Sequence, residues 1–142
     1  MRRVVIDTNI FVSALLSKKG APAKVMDAWC ERKFLVITCE AAILETQRVL
    51  NELSATGKYA ITNDQIESIL HLLRTDAIQV PGKTNVSGII PQDPDDEKFL
   101  AIAIEGEAEI IISGDSHLLN LGKYQNIAIQ TARQFLDSLK IE

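Results

Sequence analysis

Val4-Val5-Ile6-Asp7-Thr8-Asn9-Ile10-Phe11-Val12 decides how the rest of this chain is read. Three consecutive aliphatic residues read as a strand buried on both faces, the kind found in parallel sheets. The polar step Asp7-Thr8-Asn9 then hands the chain to a helix carrying Ile10, Phe11, Ala14 and Leu15. Asp7 therefore falls at the carboxyl end of a strand. Thr8 or Asn9 would cap the helix equally well, so capping alone does not require an acid at Asp7.

The same strand-then-helix grammar repeats outward from there. Gly20-Ala21-Pro22 punctuates the chain, and Val25, Met26, Trp29 and Cys30 mark a helix over 23–33 with Met26 and Trp29 in the core. A second buried strand is expected at 34–38, followed by an amphipathic helix over 41–53 with Ile43, Thr46, Leu50 and Leu53 on one face. Residues 54–58 break the pattern, and Asn63 is expected to cap a helix that buries Ile66, Ile69, Leu70 and Leu73. A third strand over 77–80 stops at Pro81-Gly82, and the polar segment 83–92 reads as a loop over the site. A fourth strand over 109–112 ends at Ser113-Gly114-Asp115, which puts Asp115 in the same kind of place as Asp7. A short helix with Leu118 and Leu119, a strand at 127–129, and a closing helix capped by Thr131 complete the chain. Alternating strands and helices without a hairpin signal predict an α/β fold: a central parallel sheet of about five strands flanked by helices, in one domain over residues 1–142.

Bulk composition narrows the functional classes. With 142 residues, 46% hydrophobic and 24% charged, the chain is expected to be a soluble globular protein with a real core. Its apolar runs are too short to span a membrane, and Met1-Arg2-Arg3 leads into a strand without a signal-peptide core, so a cytoplasmic location is expected. Cys30 and Cys39 sit on different elements with no CxxC, which suggests neither a zinc site nor a disulfide framework. A net charge of −4 argues against a protein that holds nucleic acid by basic charge alone. It leaves room for one that meets phosphates through bound cations, because metal-ligating carboxylates count as negative.

The second informative stretch is Pro91-Gln92-Asp93-Pro94-Asp95-Asp96-Glu97-Lys98-Phe99-Leu100-Ala101-Ile102-Ala103-Ile104, where an acidic cluster runs into an apolar helix. Asp93 reads as the N-cap and Pro94 as the first helical residue. On a 3.6-residue period Asp96 shares a stripe with Phe99, Leu100 and Ala103, so its carboxylate is expected to face inward, where it needs a metal, a cation or strong donors. In an open parallel sheet the ligand crevice lies beyond the carboxyl ends of the strands, where strand order reverses, and Asp7, Asp96 and Asp115 should converge there. Oxygen ligands without a Cys or His pattern select Mg²⁺ or Mn²⁺, and a site of that type usually handles phosphate esters. Glu45 reads two ways, since it lies with Ala41, Arg48 and Glu52 on the polar helix face and can pair with Arg48. His71, alone on its helix, does not read as a metal ligand.

Together, Asp7-Thr8-Asn9-Ile10-Phe11, Ile43-Leu44-Glu45, Asp93-Pro94-Asp95-Asp96 with Phe99-Leu100-Ala101, and Ile112-Ser113-Gly114-Asp115 resemble a PIN domain of the kind found in VapC-type toxin–antitoxin toxins. The resemblance runs over nearly the whole chain and is carried by order and spacing. It implies a three-layer PIN-like fold and a metal-dependent ribonuclease whose four acids are Asp7, Glu45, Asp96 and Asp115. One or two Mg²⁺ or Mn²⁺ ions would be held by Asp7, Asp96 and Asp115, with Glu45 direct or through water, and Thr8, Asn9, Ser113 and Asp93 in support. It also implies single-stranded or structured RNA as substrate, 5′-phosphate and 3′-hydroxyl products, a small antitoxin partner and a homodimer. Where many family members carry another acid beyond the fourth-strand Asp, this chain has Ser116, His117 and Leu118.

Rival readings are a phosphatase or receiver domain phosphorylated on Asp7, a PIN-fold RNA- or protein-binding module, and a stand-alone RNA-processing nuclease. The phosphatase pattern usually has a second Asp where this chain has Asn9, and no GxGxxG follows the first strand to suggest dinucleotide binding.

Overall fold

The computed structural model describes residues 1–92 and 94–141 of the chain. Its strands and helices alternate as β1 (Arg3–Ile6), α1 (Thr8–Leu16), α2 (Ala21–Cys30), β2 (Leu35–Thr38), α3 (Glu40–Ala55), α4 (Asn63–Thr75), β3 (Ala77–Gln79), α5 (Glu97–Glu105), β4 (Ile110–Ile112), α6 (Ser116–Leu121), β5 (Lys123–Tyr124), β6 (Ile127–Gln130) and α7 (Ala132–Ile141). One six-stranded sheet has the order β3-β2-β1-β4-β6-β5, parallel throughout except for the β5–β6 pair. The chain builds from β1 outward through β2 to β3, then returns to β4 on the other side of β1. Strand order therefore reverses between β1 and β4.

Because side chains alternate along a strand, the sheet feeds two cores. Val4, Ile6, Val36, Ile110 and Ile112 pack under α1, α2, α3, α4 and α7, while Val5, Ile37, Ile111 and Ile129 pack under α5 and α6. This gives helix, sheet and helix layers, with β1 and β4 at the dry centre and Val4 and Ile112 fully covered. Each such aliphatic side chain contributes about 1.5–3 kcal/mol on burial. Met26 and Trp29 belong to the first core, as expected, with Trp29 buried and Met26 partly so. Cys30 and Cys39 are both free thiols.

Several local expectations are corrected. The sheet has a sixth strand, because Lys123–Tyr124 folds back on β6 as a two-residue antiparallel edge that periodicity cannot register. Thr62, not Asn63, caps α4, in a reciprocal capping box with Gln65. Pro94–Asp96 forms a 3₁₀ turn, and α5 begins only at Glu97. The expected Asp93 cap lies outside the described residues. Segment 83–92 lies along α5: Glu105 accepts the amides of Gly82 and Thr84 at 2.7 Å each, Glu97 accepts those of Ile89 and Ile90, and Val86 and Ile90 are buried.

Two close approaches need glycine. A Cβ at Gly106 would lie 2.5 Å from the Ile37 side chain, where α5 ends against the sheet. Gly82 adopts φ +71° with Cys39 Sγ 2.8 Å from where a Cβ would be. Among the described residues no helix is long and apolar enough to cross a membrane.

Candidate active site

The site is built where β1 and β4 end. The Asp7 amide donates to the Ile112 carbonyl at 3.0 Å, tying the residue just after β1 to the end of β4, and the Ser113 amide continues β4 onto Gln130. Asp7 stands at the N-cap of α1 but its side chain makes no capping hydrogen bond. Its Oδ2 instead accepts from the Ser113 hydroxyl at 2.6 Å, and Ser113 Oγ in turn accepts from the Asp115 amide at 2.9 Å. Asp7 is 4% exposed and Ser113 fully buried, so this chain of contacts is shielded from water. Burial pushes the Asp7 carboxyl up to about 6, against the Ser113 hydroxyl that pulls it down, and the charges of Asp115 and Glu45 add to the rise.

Asp115 caps α6, its Oδ2 accepting the Leu118 amide at 3.1 Å. The Asp96 carboxyl stands close enough to act on it. Desolvation raises the Asp115 pKa, but the contacts from Asp96 and from the Leu118 and His117 amides, with the His117 charge, outweigh it and leave the group below its usual value. One ligand atom each from Asp96, Asp115 and His117 lie within 4.8 Å of one another.

Glu45 reaches the group from α3. Thr8 Oγ1 donates to its Oε2 at 2.6 Å, and Lys98 Nζ approaches its Oε1 to 2.5 Å. The alternative pairing with Arg48 is not formed: Arg48 turns outward to Glu52 on the exposed face. Thr8 is thus used to hold Glu45 and does not cap α1. Asn9 Oδ1 accepts the Gly114 amide at 3.2 Å, stitching the two loops together. A cleft of about 390 Å³ opens beside them, lined by Asn9, Ser13, Ser113, Gly114, Thr131 and Arg133.

The structure brings Asp7, Glu45, Asp96 and Asp115 to one place, although Asp96 arrives by another route than expected. It sits at the end of the 3₁₀ turn with αR backbone, half-buried, and the next acid, Glu97, is 8% exposed and accepts the amides of Ile89 and Ile90. The expected inward carboxylate is found, with Asp96 Oδ2 buried, but it is placed by the 3₁₀ turn, because α5 is apolar almost all round, with Phe99 to Ala103 all buried, and its periodicity does not select a face. Lys98 and His117 were missed as neighbours of the acids. A signal existed for Lys98, since a cation in the first turn of a helix opposes the dipole and needs a partner.

The donor set suits a hard divalent cation. It offers several carboxylate oxygens, and one of them, on Asp7, has its pKa raised by burial, with the charges of Asp115 and Glu45 adding to the rise, a strain that a cation would relieve.

A profile for the PIN domain matches residues 3–117, and the chain belongs to the PIN-domain family. The fold is of nuclease type, and PIN domains are generally metal-dependent nucleases. The chain is also 31% identical to an uncharacterized protein of Methanocaldococcus jannaschii, MJ1680, over 97% of this chain and 92% of that protein.

Proposed function

We propose that this protein is a Mg²⁺- or Mn²⁺-dependent endoribonuclease that hydrolyses RNA phosphodiester bonds in the cytoplasm, as the toxin of a toxin–antitoxin pair. The observation that supports it is the convergence of Asp7, Glu45, Asp96 and Asp115 at the β1–β4 reversal, the crevice position of an open parallel sheet.

In this reading Asp7, Asp96 and Asp115 hold the cation, with Glu45 alongside. The ion supplies charge neutralisation and Lewis-acid polarisation at the phosphodiester. The protein's own groups do the positioning. Ser113 fixes one oxygen of Asp7 and Thr8 one oxygen of Glu45, so the acids keep their geometry when the site fills. The cleft lined by Asn9, Ser113 and Arg133 shares Ser113 with this group and offers amide, hydroxyl and guanidinium groups to an RNA backbone. A toxin of this kind would be silenced by a small antitoxin and act as a homodimer, and the support for both is family resemblance.

The test is cleavage of labelled single-stranded RNA by purified protein. Mn²⁺ or Mg²⁺ should support it, EDTA should stop it, and Asp96→Asn or Asp115→Asn should lower it by about 10–100-fold or more. Cleavage indifferent to EDTA and to both substitutions would overturn the assignment.

A further inference from the structure

Lys98 is the cation that the structure places directly on the acid group. It is the second residue of α5, in the turn where the helix dipole disfavours positive charge, so its position needs compensation from nearby acids. The compensation is Glu45: Nζ lies 2.5 Å from Oε1, with the two side chains only 22% and 20% exposed. The pairs Arg48–Glu52, Arg74–Glu40 and Lys33–Glu31 instead lie on open surface, with side chains from 46% to 65% exposed. Thr8 holds the other oxygen of Glu45, so both are engaged by protein groups. Glu45 is also one of the charges that raise the pKa of Asp7. A cation entering among these acids must therefore take Glu45 from Lys98 or leave it behind. Room for the displaced ammonium exists, because Lys98 also borders a polar cleft of about 450 Å³ with Lys83, Thr84, Asn85 and Pro94.

We propose that Lys98 is an internal counter-ion for Glu45 that competes with the divalent cation and so sets the metal affinity of the site. This rests on the metal-dependent reading above. With Lys98 paired, Glu45 is held ready and its charge is balanced. When a divalent cation binds, Glu45 turns to the metal and the ammonium is released toward the polar cleft. Lys98 is thus a positioning residue, acting through Glu45.

The experiment is calorimetric titration of Mn²⁺ into the full chain, at one pH and ionic strength, for wild type, Lys98→Met, Lys98→Gln, Glu45→Gln and the Glu45→Gln/Lys98→Met double variant. Lys98→Gln keeps a hydrogen-bond donor for Glu45 and guards against misfolding of the methionine variant. Removing the competing charge should tighten Mn²⁺ binding by about threefold or more in both single Lys98 variants. In the Glu45→Gln background the same change should add little, because the competition runs through that carboxylate. A merely structural Lys98 would lower the melting temperature without tightening metal binding. Unchanged or weaker binding in both Lys98 variants, or an equal gain with and without Glu45, would overturn the proposal while leaving the nuclease reading intact. Failure of every form, wild type included, to bind Mn²⁺ would remove the reading beneath it and the proposal with it.

Discussion

Asp7 is a carboxylic acid kept where a carboxylate is costly. An acid whose folded-state pKa lies above its unfolded value takes up a proton on folding, so its strain is absent below about pH 4, grows as pH rises and is complete above about 6. Taking the rise from 3.8 to about 6 at 1.36 kcal/mol per unit, the strain at neutral pH is on the order of 2–3 kcal/mol. Asn is nearly isosteric and its oxygen can still accept from Ser113. Asp7→Asn is therefore expected to leave stability at pH 4 unchanged and to raise it at pH 7.5 by about 2 kcal/mol, as read from urea melts in EDTA. The same gain at both pH values would show that charge is not what Asp7 contends with. Strand-end acids such as Asp7 and Asp115 were legible in the sequence because an apolar run stopping at a polar residue marks both the strand and its end. Ser113 was legible only as a neighbour, since its use as a bridge between Asp7 and the Asp115 amide depends on two strands lying side by side.

At the scale of the element, α5 organises its side of the molecule through carboxylates that do not touch the acid group. Glu97 accepts the amides of Ile89 at 2.9 Å and Ile90 at 3.4 Å, holding a segment whose Val86 and Ile90 fill the second core. Charge-assisted bonds of this kind contribute roughly 1.5–3 kcal/mol, so Glu97→Gln should destabilise the protein by about 1–2 kcal/mol. Hydrogen exchange should quicken at the Ile89 and Ile90 amides while β1 and β4 stay protected. Uniform exchange across the chain, or unchanged exchange at those amides, would count against this role. The sequence marked the acidic run before α5 and Asp96 within it, but not the role of Glu97, because a helix buried on nearly every side has no polar face to set its phase. It likewise could not show β5, where Gln125 takes φ +53° without the glycine that usually signals such a turn. Long periodic elements such as α4, with its buried Ile66, Ile69, Leu70 and Leu73, read correctly because one face is dry and the other wet.

For the whole molecule, the reversal of strand order gathers charge as well as residues. The chain carries a net charge of −4, and part of that excess is concentrated where Asp7, Glu45 and Asp115 repel one another. A divalent cation bound there adds its binding free energy to folding, because the unfolded chain has no such cluster. At a concentration a hundredfold above the dissociation constant this amounts to about 2.7 kcal/mol. In a chain of this size each kcal/mol moves the melting temperature by roughly 2–4 °C, so Mn²⁺ should raise it by about 5–10 °C. Asp96→Asn separates this from non-specific charge screening. As a plain first-turn acid, Asp96 would gain from the helix dipole, and its loss would cost about 0.3–1 kcal/mol with the Mn²⁺ shift intact. As one of a group of acids that stand close together, it should be replaceable by Asn at no cost in EDTA, while most of the Mn²⁺ shift disappears. Melts of both proteins in EDTA, in Mn²⁺ and in NaCl of matched ionic strength decide between these outcomes. A shift reproduced by NaCl, or retained in full by Asp96→Asn, would mean that the acids at the β1–β4 reversal do not act together on a cation.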